Sequence, residues 1–552
     1  MISGTRIGAL AALAALLAGC GEPHVPPRVT GRLVIVGVDG ATWNIMSPLM
    51  SRGQLPRLAS LVEAGSAGRL RATPPLLTAP LWTTVVTGRP PGSHGILTDT
   101  LRSAGRYALR PVTADMRRTP ALWTIATSRD VTVGAVGWPA TFPAEEVKGF
   151  MVSEEWDPEL AASPRGAHPE RAIGPDTGDE DRLTIPDRLL PVAALSDDLR
   201  GWFERDLQDL SRGLALYRVH QPAIALFRFR SIDGASHRFW AYMERRFLQV
   251  MAGRGDPVAP DLAAARARAI PGAYEMFDAW IGMLIERLPE DATLLIVSDH
   301  GFRGIQPDED LRVDMNLLLR KLGYQTATPA GETDWDRTRA FALAEDGSGR
   351  RGVFLNIRGR EAKGSLDPAS ADGVLLELAK SLEGIADAGG RKLFGVEPAV
   401  RHDAHAWADP GATDLWVAQA PGFGSDSVLR IGGAQIAMRD IAKPTGVFGV
   451  HDATGIVLAV GRGIAPGKGG WEAEMLDVLP TALHLAGLPP SSDLPGSVME
   501  NLLADPSSES SRLVSYDGLT AAPPAVLMPV AVAERGIGAL QRCAHLMELT
   551  PP

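Results

Sequence analysis

Five polar islands in this chain each border an apolar run. Val34-Ile35-Val36-Gly37-Val38 delivers Asp39 to a glycine. Thr78-Ala79-Pro80 opens a mostly non-polar stretch. Asp233 and His237 lie four apart after Ala223–Phe229. Thr293-Leu294-Leu295-Ile296-Val297-Ser298 delivers Asp299-His300-Gly301, and Gly449-Val450-His451 precedes another run. Together they supply three carboxylates, three imidazoles and one hydroxyl. Carboxylate oxygen and imidazole nitrogen are zinc-type donors. A threonine hydroxyl is a poor nucleophile until a base or a metal ionises it. No Ser-His-Asp arrangement is evident around Thr78, so metal activation is the more economical explanation. The inventory suits two zinc-like ions flanking a nucleophile.

Each island is weak by itself. Pro74 and Pro75 precede Thr78, Pro80 follows it, and Gly88 ends the stretch. That pattern puts Thr78 at a helix N-cap, Pro80 in the first turn and Gly88 at C′. Amides and dipole at such an end favour an anion such as phosphate; a plain capping threonine has the same pattern. Asp233 and His237 face one way if a helix begins there, and an N-cap aspartate with a surface histidine fits equally. Asp299-His300-Gly301 also reads as a strand-end turn, and His451 as a structural histidine. The force comes from the set, because each island falls at an expected strand edge and adds complementary donors.

The elements that must position these groups are legible as strands alternating with helices. Strands are expected at 32–38, 131–136, 223–229 and 294–297, by length and β-branching. Helices are expected at 55–64, 120–128 and 274–288, the last with Tyr274, Phe277, Trp280, Ile281, Leu284 and Leu288 on one side. The alternation predicts an α/β fold built on a largely parallel sheet. Ligands in such sheets sit beyond the carboxyl ends of the strands, where Asp39, Asp233 and Asp299 fall. Two intervals break the rhythm, 146–200 and 311–440, and read as insertions. The core resumes at 455–460 and a helix at 475–486. The tail from 506 to 552 starts polar and ends in a helical pattern at 530–547.

At 552 residues, 45% hydrophobic and 22% charged, the chain has the composition of a globular protein with one large core or two domains. A net charge of −10 argues against a nucleic-acid scaffold; it does not exclude small anionic substrates, since bound dications reverse the local field. Arg6, the short apolar run 7–18 and Leu17-Ala18-Gly19-Cys20 resemble a bacterial lipoprotein signal over 1–19, with cleavage before Cys20, lipidation there and a tether to residue 31. Acyl chains on Cys20 would hold an exported protein on a membrane of the cell envelope. An ordinary secretory signal or an uncleaved anchor, with a chance cysteine, is the other reading. Cys543 then has no partner for a disulfide.

The islands resemble the alkaline phosphatase superfamily, in particular the type I phosphodiesterase/nucleotide pyrophosphatase branch and its bacterial phosphohydrolase and phosphomutase relatives. The likeness rests on Val36–Gly40, Thr78-Ala79-Pro80, Thr87–Pro90, His94-Gly95-Ile96, Asp233 with His237, Asp299–Gly301, Gly449–His451, and Asp477–Thr481 with Leu485–Gly487. It spans residues 32–505, with the two insertions as a cap on a helix-sandwiched sheet. It implies one divalent ion on Asp39, Thr78, Asp299 and His300 and a second on Asp233, His237 and His451. It further implies a covalent phospho-threonine intermediate at Thr78. The mixed donors favour zinc, with manganese as the alternative. Nucleotide pyrophosphatases carry an asparagine shortly after the nucleophile, where this chain has Leu81-Trp82. Sulfatases need a cysteine or serine to make formylglycine, and Thr78 cannot supply it.

The expected activity is hydrolysis of small phosphate esters, diesters foremost. Transfer to an acceptor alcohol, as in a mutase or headgroup transferase, would use the same site. A non-catalytic binding lipoprotein of the envelope is the alternative of another class. Arg228, Arg230 and Arg238 flank Asp233, as substrate contacts or as structural residues. His94 reads as a structural loop residue. Trp138 and Trp156 read as pocket or core residues, and His402 with His405 as a weaker, third metal candidate.

Overall fold

The computed structural model describes residues 32–519 apart from 103–106, 108, 155–163, 170–182, 254–256, 306–310, 344–349, 399–412, 432 and 506–512. Cys20 and its leader, Trp156, His402, His405, Cys543 and the 530–547 stretch lie outside the described residues. Among the described residues, no helix is long and apolar enough to cross a membrane.

Nine strands form the central sheet: β1 (Arg32–Val38), β2 (Ser66–Arg71), β3 (Val133–Trp138), β4 (Gly149–Ser153), β5 (Ala167–His168), β6 (Ile224–Phe229), β7 (Ala292–Val297), and, after residue 448, β14 (Thr454–Val460) and β15 (Lys468–Glu474). Between β7 and β14 lie β8 (Gly301–Gly304), β9 (Ala340–Ala342), β10 (Arg350–Leu355), β11 (Phe394–Pro398), β12 (Leu415–Gln419) and β13 (Gly449–Asp452). The sheet order is β15-β2-β14-β7-β1-β6-β3-β4-β5. Its centre, β7-β1-β6-β3-β4, is parallel throughout, whereas β14 runs against both neighbours.

Helices cover both faces. They include α1 (Pro56–Ala64), α2 (Thr78–Thr87), α3 (Leu122–Ser128), α4 (Asp197–His220), α5 (Ser231–Met243), α6 (Ala269–Ile285) and α9 (Val478–Leu485), whereas α7 (Met315–Lys321) and α8 (Ala371–Glu383) lie in the chain between β7 and β14. Alternate residues of each central strand feed opposite layers. Leu33, Ile35, Leu295 and Val297 pack with Leu81, Trp82, Leu122 and Leu479; Val34, Val36, Val38 and Ile296 pack with Phe203, Phe239, Phe277 and Trp280. Strands covered twice must read as unbroken apolar runs, which is why they were visible in the sequence. The fold is the expected alkaline-phosphatase-like α/β architecture. α6 is longer at its start than its aromatic stripe suggests and ends at Ile285, leaving Leu288 beyond it.

The interval 146–200 is not loop throughout. Gly149–Ser153 joins the central sheet as β4, parallel to β3, and β5 pairs antiparallel with it. Flanking prolines and acids masked this five-residue run in the sequence.

The interval 311–440 builds its own layer. Strands β9-β10-β12-β11 form an antiparallel sheet, and α7 and α8 pack on a separate core that includes Leu318, Leu355, Leu378 and Leu415. Arg360 is buried beside this sheet. It donates to Asp414 Oδ2 at 2.6 Å and Glu361 Oε1 at 2.8 Å, while Asp414 Oδ2 also accepts the Leu355 amide at 2.7 Å. Removing one member of a buried ion cluster strands the others, which costs about 3–5 kcal/mol. Asp414→Ala should therefore lose about that much stability in urea unfolding, and a loss under 1 kcal/mol, well below the buried-pair scale, would refute a structural role for the cluster.

Candidate active site

Asp39, Asp233, Asp299 and His300 come from the carboxyl ends of three adjacent parallel strands, β1, β6 and β7. The turn after β1 is held from two sides. The Ala41 amide donates to Ser298 Oγ at 2.9 Å, and the Thr42 amide to Tyr274 Oη of α6 at 3.1 Å. α5 starts immediately after β6, and the buried Asp206 of α4 accepts the Arg230 amide at 3.1 Å and the Ser231 amide at 2.9 Å. A carboxylate from another helix thus caps the helix that carries Asp233 and His237. Those two residues sit one turn apart with His237 Nε2 3.5 Å from Asp233 Oδ1.

His451 reaches the site by strand pairing. β13 runs antiparallel to β8, with His451 opposite Phe302. The approach of β13 to α5 needs Gly449, because a Cβ there would lie 2.4 Å from the Ser236 carbonyl oxygen. The Gly449 carbonyl can then accept from His237 Nδ1 at 3.1 Å.

The imidazoles share one orientation. His237 Nδ1 faces the Gly449 carbonyl, His300 Nδ1 the Gly301 carbonyl at 3.0 Å, and His451 Nδ1 the Leu76 carbonyl at 2.9 Å. A carbonyl oxygen only accepts, so each Nδ1 carries a proton, and in the neutral ring each Nε2 presents a lone pair. Those lone pairs point inward. His237 Nε2 and His451 Nε2 are 2.9 Å apart. His300 Nε2 lies 3.4 Å from Asp39 Oδ1, 3.6 Å from Asp299 Oδ2 and 3.8 Å from Asp233 Oδ1. Asp233 Oδ1 is also 3.3 Å from His451 Nε2. Asp39 Oδ1, Asp233 Oδ1, Asp299 Oδ2 and His300 Nε2 are buried without a hydrogen-bond partner.

Acceptors facing acceptors in a buried space require positive charge between them. Two overlapping donor sets result, Asp39-Asp299-His300 and Asp233-His300-His451, each with its ligand atoms within 4.8 Å. Mixed oxygen and nitrogen donors, with every Nδ1–H anchored to a backbone carbonyl, fit divalent ions. His300 belongs to both sets, and His237 joins through His451.

The local fields are unequal. Burial pushes Asp299 well above the ordinary carboxylate range, and the charge of Asp39 adds to it. Burial acts the same way on Asp39, but Arg228 and His300 outweigh it and hold Asp39 well below that range. Burial also lowers His237, to about 4. Burial opposes protonation of His300 too, yet Asp39 and Asp233 raise it.

Thr78 is the first helical residue of α2, and Leu77 is its N-cap, one position earlier than the cap expected at Thr78. Leucine offers no capping oxygen; Asp99 Oδ1 instead accepts the Ala79 amide at 2.6 Å. Gly88 closes the helix with φ 59°, as its position suggested. Leu76, two residues before Thr78, is the residue whose carbonyl holds His451, so the start of α2 is tied to the donor cluster. Thr78 is half-buried.

Neither Asp99 nor the roles of Asp206 and Glu154 were legible in the sequence, since each acts across the chain on a partner of another element. The arginines divide. Arg228 is buried, donates to Asp39 Oδ2 at 2.5 Å and pairs with Glu154. Arg230 is engaged by Asp206 and Asp209, and Arg238 lies 3.7 Å from Asp198. His94 is buried, shares a 3.1 Å hydrogen bond with Thr84 Oγ1, and accepts the Ile96 amide at 3.2 Å. Burial lowers it to about 4, as befits a neutral structural ring. Trp138 is wholly buried against Trp82.

A doubly covered, largely parallel sheet with aspartates and histidines converging at its carboxyl edge is the arrangement that the resemblance to the alkaline phosphatase superfamily implied. The chain belongs to the type I phosphodiesterase/nucleotide pyrophosphatase family, whose profile matches residues 33–428. That membership supports a hydrolase of phosphate esters. No curated protein matches the sequence. Among solved structures, human ectonucleotide pyrophosphatase/phosphodiesterase 5 is similar at 14% identity with a TM-score of 0.48, covering 86% of this chain and 100% of its own. The murine protein, in an inactive form in complex with AMP, is similar at 12% identity with a TM-score of 0.47 and the same coverage.

The opposed lone pairs make a direct prediction. Zinc added to metal-free protein should raise its thermal midpoint, by about 2.7 kcal/mol of stabilisation at a hundredfold excess over Kd. His451→Ala should remove most of the rise. A midpoint indifferent to zinc in calorimetry would contradict the proposed donor geometry.

Proposed function

We propose that this protein hydrolyses phosphate esters, diesters foremost, through a covalent phospho-Thr78 intermediate and with two divalent ions, zinc in the first place. The observation that carries this is the convergence of three Nε2 lone pairs on unpartnered carboxylate oxygens, with His451 tied to the segment that opens at Thr78. Asp39, Asp299 and His300 would hold one ion with Thr78; Asp233, His237 and His451 would hold the other. Divalent ions there would supply Lewis-acid charge that eases ionisation of a hydroxyl and balances phosphoryl oxygens.

The residues divide the remaining work. Thr78 Oγ1 gives up its proton to solvent and attacks phosphorus, and the P–O bond to the leaving alcohol breaks. The alcohol departs with a proton taken from solvent. Water then attacks the phospho-threonine, which releases the remaining phosphoryl product and returns the hydroxyl. The backbone carbonyls of Leu76, Gly301 and Gly449 keep the imidazoles aimed throughout. Asp99 steadies the first turn of α2 by its bond to the Ala79 amide.

Thr78→Ala should lower kcat on a nitrophenyl phosphodiester by about a thousandfold or more, while the thermal midpoint stays near wild type. Phosphate on Thr78 should be detectable by mass spectrometry after rapid acid quench. Near-normal turnover in the alanine variant would sink the nucleophile assignment. Free phosphate or monoester as product, with added alcohol left unmodified, separates hydrolysis from transfer.

The leader motif supports export and anchoring at an envelope membrane through lipidated Cys20. Cys20→Ser should move the protein from the membrane fraction to the soluble fraction of the producing cell. Unchanged membrane retention would reject the anchor.

A further inference from the structure

The two oxygens of Asp39 differ. Oδ1 is buried without a partner and faces His300. Oδ2 accepts two hydrogen bonds, from Trp82 Nε1 at 3.3 Å and from Arg228 Nη2 at 2.5 Å. Trp82 lies on α2, one turn after Thr78, so the helix that begins with the hydroxyl also grips the first carboxylate.

This grip is itself braced. Trp138 Nε1 donates to the Trp82 carbonyl at 3.1 Å, and the two indoles meet edge-on with centroids 5.0 Å apart. The Trp82 ring lies on β1 where residue 37 has no side chain; a Cβ there would be 2.6 Å from the ring. Gly37 thus leaves room for the indole. Arg228, on β6, lies 5.7 Å from the centroid of the same ring, and its second nitrogen pairs with Glu154. Only 4% of Arg228 is exposed. A buried cation is expensive unless carboxylates flank it, and its planar fork spans two of them at fixed geometry.

We propose that Trp82 and Arg228 are positioning residues that lock the Asp39 carboxylate so that it offers Oδ1 alone to a divalent ion, and that Trp82 thereby registers the Thr78 helix against that ion. This rests on the metal-centre reading above. Partners that orient a ligand without touching the ion commonly change metal affinity or activity by about 10–100-fold when removed.

Trp82→Phe keeps the ring but deletes the donor. Arg228→Lys keeps the charge but cannot span both carboxylates. Zinc titrated into metal-free protein against a chromophoric chelator should show two binding events in the wild type. In each variant one event should weaken by about 10–100-fold and the other stay put, with excess zinc recovering turnover. Wild-type affinity for both ions in either folded variant overturns the proposal. Fewer than two ions on the wild type overturns the metal-centre reading instead. Should neither variant fold, the wild type still decides: the Trp82 indole N–H resonance should move on zinc loading, and an unmoved resonance refutes the coupling.

Discussion

Three carboxylates converge, Asp39 and Asp299 buried and Asp233 partly exposed, and the site is organised around their mutual repulsion. Two unit charges 4.8 Å apart, the outer spacing of the donor atoms, repel by about 3.5 kcal/mol at an effective dielectric near 20. Burial raises that cost. The neighbourhood answers unevenly: Arg228 and His300 favour the charged form of Asp39, while Asp299 is driven towards its neutral form. The three imidazoles turn Nε2 towards the carboxylates, because their Nδ1 atoms are committed to carbonyls, and Asp39 and Asp233 favour the charged form of His300. A cluster so arranged is complete only with positive charge at its centre.

The larger architecture follows from delivering these groups to one place. Parallel strands covered on both faces end together, so β1, β6 and β7 bring Asp39, Asp233, Asp299 and His300 to a shared edge. Helices fix the angles. Asp206 grips the first amides of α5, Asp99 an amide of α2, and Asp278 the Leu58 amide of α1. Each of these helices lacks a side-chain cap of its own. Their N-termini are held by acids from other elements, which ties helix placement to tertiary packing.

That division explains what the sequence could disclose. Buried parallel strands read as apolar runs, and the polar residue ending each run had to fall at the ligand edge. Hence the strands leading to Asp39, Asp233 and Asp299 were plain, as was the apolar spacing at the centre of α6. Remote capping leaves no local pattern. Leu77 precedes Thr78 at the cap because Asp99, twenty-one positions beyond Thr78, does the work expected of a threonine oxygen. β4 was hidden because five residues among prolines and acids resemble loop until β3 offers its edge. Arg228 could be read as facing substrate or as structural; only its contacts with Asp39 and Glu154 reveal which side chains it serves. His451 lies past the last residue matched by the family profile, and strand pairing rather than chain proximity seats it.

The pairing of β8 with β13 has a consequence for how such a chain can diversify. Gly304 and Gly449 stand opposite each other in that ladder. A four-stranded sheet with its own core lies in the chain between those two glycines, and it also meets the rest of the protein where Tyr107 stacks on Trp335. The register that sets His451 beside His300 is fixed by the four-residue ladder outside that layer. The candidate metal donors among the described residues are thereby encoded on both sides of the inserted layer and none within it.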